Sequence, residues 1–128
     1  MQLITSAQDL TASWANLGEL IPMASYTRLG LWLNVDINNS TNVRFRAVGK
    51  REKGDTSDYP LIITTTTASD IKVEDEYFEL SVDADQLLIA EILTNNLVPY
   101  VQIQVQTGTV GATAGQIDAA DVTFSNTQ

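Results

Sequence analysis

Apolar and polar residues alternate along several segments of the chain, most regularly between residues 29 and 37. There the apolar positions are Leu29, Leu31, Leu33, Val35 and Ile37, and the positions between them are Gly30, Trp32, Asn34 and Asp36. A period of two is typical of a β-strand with one face in the core and the other in water. The alternation recurs over residues 43–48, 78–83 and 101–106. The pattern therefore predicts a protein built of β-strands.

Residues that favour turns separate these segments, for example Asn38-Asn39-Ser40-Thr41-Asn42 and Asn95-Asn96. Their spacing, without a strand-helix rhythm, indicates a two-sheet sandwich or a closed barrel. We favour an all-β, single-domain antiparallel β-sandwich over residues 1–128, jelly-roll-like, with eight or nine strands. The strands are expected near 2–5, 11–20, 28–38, 42–50, 59–66, 70–82 (one strand or two), 87–94, 97–107 and 116–124.

Residues 85–93 admit two interpretations. Leu88 and Ile92 are also spaced as on one face of a helix, and Asp85 could cap that helix at its amino end. We favour a strand, in which Leu88, Ala90 and Ile92 face the core.

The composition excludes several kinds of catalytic site. The chain contains no His and no Cys, so Ser-His-Asp and Cys-His catalysis, Cys/His zinc sites, disulfides and haem ligation by His are ruled out. The 7 Lys and Arg residues against 16 Asp and Glu give a net charge of −9, which disfavours binding to a nucleic-acid backbone. We therefore expect a protein that is not an enzyme, holds no cofactor and binds no nucleic acid.

No segment has the roughly 18 consecutive apolar residues that span a bilayer. The amino-terminal MQLITSAQDLT lacks the basic and long apolar regions of a secretory signal. We expect synthesis in the cytoplasm and no membrane association.

Two acidic clusters, Glu74-Asp75-Glu76 and Asp83-Ala84-Asp85, carry the carboxylates that a calcium site or a glycosidase requires. Neither has the spacing of an EF-hand, and acidic residues near strand ends are ordinarily solvated. We interpret both clusters as surface and keep a carboxylate-pair glycosidase as a remote alternative.

The small-residue loop from Gly108 to Gly115 is not a phosphate-binding loop. It lacks the G-x-G-x-x-G spacing, and no Lys follows it. We interpret it as a connection between strands whose Gly108, Gly111 and Gly115 can pack against a neighbouring molecule.

Trp32 falls on the polar side of the most regular strand. Either a loop of the chain covers it, or an indole is exposed on a sheet face. An exposed indole can anchor a protein interface or stack on a sugar ring, and Tyr26 or Tyr100 would extend a sugar-binding platform. Trp14 is expected in the core or at the end of the sandwich.

Basic residues concentrate in one predicted hairpin, and the last part of the chain is acidic. Residues 73–128 carry nine acids and no base. The plainest interpretation of the hairpin is a solvated turn, but it could also be a positive corner that meets an acidic surface of a neighbour. The hairpin residues are Arg44, Arg46, Lys50, Arg51 and Lys53.

Three segments resemble small virion proteins of tailed bacteriophages: SWANLGELI at 13–21, LGLWLNVDINNSTNVRFRAVGK at 29–50 and VPYVQIQVQTGTVGATAG at 98–115. The resemblance implies a β-sandwich made in the host cytoplasm that decorates or reinforces a head, or sits in the neck or tail. The implied partners are the major capsid protein, other virion proteins and further copies of the chain. The alternative is a carbohydrate-binding module that takes a glycan.

Overall fold

A computed structural model describes residues 1–38, 42–65, 71–73, 77–80, 86–94, 97–108 and 114–126. The regular structure within these ranges consists of β-strands in two antiparallel sheets. Across the same ranges, no helix is long and apolar enough to cross a lipid bilayer.

The strands are β1 (Gln8–Asp9), β2 (Ala15–Asn16), β3 (Ile21–Pro22), β4 (Arg28–Asn38), β5 (Val43–Lys50), β6 (Tyr59–Leu61), β7 (Ile63–Thr65), β8 (Ile71–Val73), β9 (Phe78–Leu80), β10 (Gln86–Leu93), β11 (Tyr100–Thr107) and β12 (Ala114–Ser125). The first sheet has the order β1-β12-β4-β10-β7. The second has the order β2-β11-β5-β9-β8, with β3 also paired to β11 and β6 to β5.

The long-range strand pairs are nested. β4 pairs with β12, β5 with β11, β7 with β10 and β8 with β9, each pair antiparallel. Nesting of this kind arises when one long hairpin is rolled into two sheets, as in jelly rolls. The predicted all-β sandwich is confirmed. The described strands exceed the expected eight or nine because 59–66 and 70–82 each contain two strands, and because three two-residue strands, β1, β2 and β3, stand in place of the strands expected at 2–5 and 11–20.

The core lies between the two sheets and follows the predicted alternation. Leu29, Leu31 and Val35 of β4 are fully buried. The rings of Phe45 and Phe78, opposite each other on β5 and β9, stack with centroids 5.0 Å apart. Burying each such side chain contributes about 1.5–3 kcal/mol.

Residues 86–93 form a strand, so the helical alternative is wrong. β10 pairs with β4 along its whole length. Ala90 and Ile92 are buried as predicted, whereas Leu87 is 77% exposed. The predicted position of the Leu88 side chain falls outside the described part of the structure.

The segment 59–66, expected as one strand, divides between the sheets. β6 pairs with β5 in the second sheet, and β7 pairs with β10 in the first. The chain crosses at Ile62, which is 67% exposed. The continuous apolar run of Leu61, Ile62 and Ile63 carries no alternation that could reveal the crossing. Residues 70–82 likewise yield two strands, β8 and β9.

A register shift between Ile117 and Ala119 interrupts the pairing of β12 with β4. Ile117 lies opposite Val35 and Ala119 opposite Asn34, so Asp118 is an extra residue. Such a β-bulge places one unpaired residue in one strand of a pair.

The first residues of the chain run along the outer edge of β12. The Val122 N–H donates to the Met1 carbonyl at 2.8 Å, and the Leu3 N–H donates to the Ala120 carbonyl at 2.8 Å. Leu3 is only 5% exposed. Its position depends on Gly18, which has a φ of +70° and faces the Leu3 backbone directly.

We expect Gly18→Ala to lower the free energy of unfolding by about 2 kcal/mol or more, measured by urea denaturation. A Cβ at residue 18 would lie 2.4 Å from the Leu3 carbonyl oxygen and 2.5 Å from Leu3 Cγ. The left-handed backbone therefore adds its own strain to the displacement of a buried leucine. The matched control is Gly54→Ala, whose Cβ would have nothing within 4 Å. Equal losses in the two variants would contradict the role of Gly18.

Candidate functional site

Trp32 lies on the outer face of the first sheet, in the middle of β4. Its cross-strand neighbours are Ile89 on β10 and Asp121 on β12. Residues directly opposite each other on adjacent strands share a face of the sheet. The Trp32 side chain is 45% exposed, so the described part of the chain does not close over it.

The indole of Trp32 is held in place by its neighbours. Its Nε1–H donates to the Thr123 hydroxyl oxygen at 3.0 Å. A Cβ at Gly30 would lie 2.7 Å from that oxygen and 3.5 Å from Nε1. The absence of a side chain at Gly30 therefore leaves space for the indole to reach the Thr123 hydroxyl. The ring is oriented before any partner binds.

A groove of about 450 Å³ lies beside the indole. Ala119 and Asn34, opposite each other, are short compared with Trp32 and Leu87, which leaves the space open. We call this feature the Trp32 groove. It is lined by Trp32, Leu33, Asn34, Leu87, Ile89, Ala119 and Asp121.

Acidic residues predominate on the same face. Asp121 lines the Trp32 groove, and Asp118 in the bulge is exposed, its carboxylate accepting a hydrogen bond from Gln116 Nε2 at 2.6 Å. Arg28, the one base among the described outward residues of β4, β10 and β12, pairs with Glu91 at 2.6 Å. Within the described residues, neither Asp118 nor Asp121 forms a salt bridge, and the Met1 ammonium donates to the Val122 carbonyl at 2.8 Å, one residue along β12 from Asp121.

The basic hairpin lies on the other side of the sandwich. Arg44, Arg46 and Lys50 belong to β5 of the second sheet, and Arg51 and Lys53 follow in the turn. The structure therefore does not bring these residues together with Trp32. Sequence proximity between β4 and β5 hides this separation, because consecutive strands here belong to different sheets.

Acidic and polar groups within the chain bind the bases of β5. Arg44 Nε contacts Glu79 Oε2 at 2.7 Å, and Lys50 Nζ contacts Asp58 Oδ1 at 2.7 Å. Arg46 Nε donates to Gln104 Oε1 at 2.6 Å.

Two aromatic rings pack beneath these arginines. Arg44 lies 5.1 Å from the ring centroid of Tyr77, and Arg46 lies 4.5 Å from that of Trp14. Trp14, which is expected in the core or at the end of the sandwich, is half-buried beside β5 and therefore not in the core. The contact between Arg46 and Trp14 ties the segment before β2 to β5.

Asp55 organises the turn that follows β5. Its carboxylate accepts hydrogen bonds from the backbone N–H groups of Arg51 at 3.0 Å and Ser57 at 2.9 Å. These bonds, together with the Arg51 guanidinium, lower the pKa of Asp55 to about 2. Lys53 is exposed in the same turn.

The glycine loop is only partly described. The Gly108 N–H donates to the Asn42 carbonyl at 3.1 Å, and Gly115 is buried, its carbonyl accepting from Leu10 N–H at 2.9 Å. Gly111 lies outside the described residues, as do the two acidic clusters Glu74-Asp75-Glu76 and Asp83-Ala84-Asp85. Where the structure is described, no group of three or more acidic residues could hold a metal ion.

The tyrosines of the sugar-binding alternative do not join Trp32. Tyr26 stacks on Phe124 with ring centroids 4.9 Å apart. Tyr100 belongs to β11 of the second sheet.

A second apolar surface, which the sequence pattern did not indicate, surrounds a pocket of about 240 Å³ beside β6. Leu97 there is 82% exposed and Tyr59 is 45% exposed. Tyr59 lies in the three-residue strand β6, and Leu97 lies in the segment before β11. Neither segment has an alternation of apolar and polar residues from which an exposed side chain could be predicted.

No protein-family model matches this chain, and no curated protein does.

We expect Thr123→Val to loosen the indole of Trp32. The chain has two tryptophans, so the experiment uses a Trp14→Phe background. Loss of the acceptor should lower the fluorescence anisotropy of Trp32 and cost about 1 kcal/mol or less of stability. Thr123→Ser keeps the hydroxyl and should keep the anisotropy. Similar anisotropy in the valine and serine variants would contradict the anchoring.

We expect the turn after β5 to lose its order only in strong acid. Folding depresses the pKa of Asp55. The contribution of its carboxylate to the stability of the turn is therefore complete above the unfolded pKa of about 4 and is lost as the pH falls toward the folded pKa. In an NMR titration the Arg51 and Ser57 amide signals should shift with a midpoint at about pH 2. Asp55→Asn should abolish this transition. A midpoint near pH 4 would show that the carboxylate is not held.

Proposed function

We propose that this protein is a non-enzymatic virion structural protein that decorates or stabilises a phage capsid, and that it docks onto a protein partner through the Trp32 groove. The sequence resemblance to small phage virion proteins supports the virion setting. The anchored, half-exposed indole beside an apolar groove carries the docking part of the proposal.

Three properties of the groove favour a protein partner. Tryptophan is among the residues that contribute most binding energy at protein interfaces. Because Thr123 already orients the indole, binding loses less side-chain entropy. Leu87, at 77% exposure, and Ile89 extend the apolar surface beside it. Contiguous apolar surface of this kind marks interaction sites.

A glycan is the second candidate ligand. Asn34 and Asp121 line the groove beside the indole. An amide and a carboxylate next to an aromatic ring can bind sugar hydroxyls while the ring stacks on the sugar. The aliphatic residues Leu87, Ile89 and Ala119 would remain unused in that complex, which is why a protein partner is preferred.

We expect Trp32→Ala to remove the protein from assembled particles in sucrose-gradient sedimentation. A central interface tryptophan contributes about 2 kcal/mol or more, equivalent to about a thirtyfold loss of affinity. Tyr59→Ala is the matched control, because Tyr59 has the same 45% exposure but lies on the second sheet. Urea denaturation of both variants verifies that they remain folded.

Two outcomes would contradict the proposal. Wild-type protein found only as free protein, with none on particles, would exclude a virion role. A saturable change in Trp32 fluorescence on titration with host-surface glycans, without particle association, would favour the carbohydrate-binding alternative.

A further inference from the structure

We infer that the partner of the Trp32 groove presents an apolar side chain flanked by lysine or arginine. This inference rests on the proposed docking function and adds the chemical class of the partner. It follows from the charges around the groove and from the positions of this chain's own basic residues.

The acids lie where a bound segment would pass. Asp121 is directly opposite Trp32 and lines the groove. Asp118 lies in the bulge immediately beside Ala119, another lining residue. Both are exposed. A segment whose apolar side chain enters between Trp32 and Leu87 would bring its flanking residues next to these carboxylates.

The basic side chains that the structure describes form no salt bridge with Asp118 or Asp121. Arg28 contacts Glu91, at the opposite end of the face. Arg46 and Lys50 lie on the second sheet, and Asp58 is within 3.7 Å and 2.7 Å of them, respectively. Arg51 contacts Asp55 at 3.2 Å. Beyond the Met1 ammonium, which donates to the Val122 carbonyl at 2.8 Å next to Asp121, further positive charge at this end of the groove must come from the partner.

A basic flank fits this surface in two ways. Lysine or arginine complements the two aspartates, whereas an acidic flank would meet like charge, and complementary fields select the partner more than they add affinity. A guanidinium can also lie over the exposed indole.

The test is selection of short peptides from a random library displayed on yeast, with wild-type protein as bait and Trp32→Ala as counter-selection. We expect the enriched peptides to combine a large apolar residue with Lys or Arg. Binding of the synthesised consensus peptide should weaken in about 0.5 M salt, where the screening length is only a few ångströms.

Charge variants then test the basic character of the partner separately from docking at the Trp32 groove. Asp118→Asn with Asp121→Asn should weaken the consensus peptide by up to about fivefold for each aspartate. Glu19→Gln with Glu52→Gln removes the same charge from exposed residues elsewhere and should leave binding unchanged.

The outcomes are distinct. The basic-partner inference would be overturned if the enriched apolar peptides were neutral or acidic, or if they bound the two double variants alike. The docking function would stand in either case. Peptides that do not discriminate wild type from Trp32→Ala would overturn the docking function itself. Self-association of wild type that Trp32→Ala abolishes would identify a second copy as the occupant and would also overturn the inference.

Discussion

The register of β4 is the constraint on which the rest of the structure depends. β4 pairs with β12 on one side and β10 on the other, and its residues alternate strictly between the core and the outer face. A slip of one residue would move Leu31 and Leu33 into water and Trp32 into the core. The burial that stabilises the sandwich therefore also holds the indole on the surface, so that site and fold share one determinant.

The sequence predicted what depends on local alternation. Alternation alone predicts that Trp32 faces outward, because its neighbours Leu31 and Leu33 are apolar, and both are buried. Its cross-strand neighbours could not be found in this way. Asp121 lies opposite Trp32 only because β12 pairs with β4, and strand order depends on contacts distant in sequence. The groove cannot be predicted from the sequence for the same reason, although the alternation places Trp32 on the outer face.

Basic and acidic residues that are far apart in the sequence are neighbours in the folded chain. The basic hairpin and the acidic carboxyl-terminal portion interleave, since β9 and β11 flank β5 in one sheet. Glu79 and Gln104 accordingly contact Arg44 and Arg46. Part of the acidic excess therefore serves as internal counter-charge. Asp118 and Asp121, from the same acidic portion, are exposed on the outer face of the first sheet.

The bulge at Asp118 changes the parity of β12. Before it the buried positions are odd-numbered, as at Ile117; after it they are even-numbered, as at Ala120 and Val122. A strand of uniform parity would have turned Asp121 inward. Because the one inserted residue is accommodated in the bulge, both halves of β12 place their apolar side chains in the same core. Removing Asp118 would leave Ile117, Ala120 and Val122 facing the core and Asp121 outside, so the bulge adds one exposed carboxylate to the outer face without changing which side chains are buried.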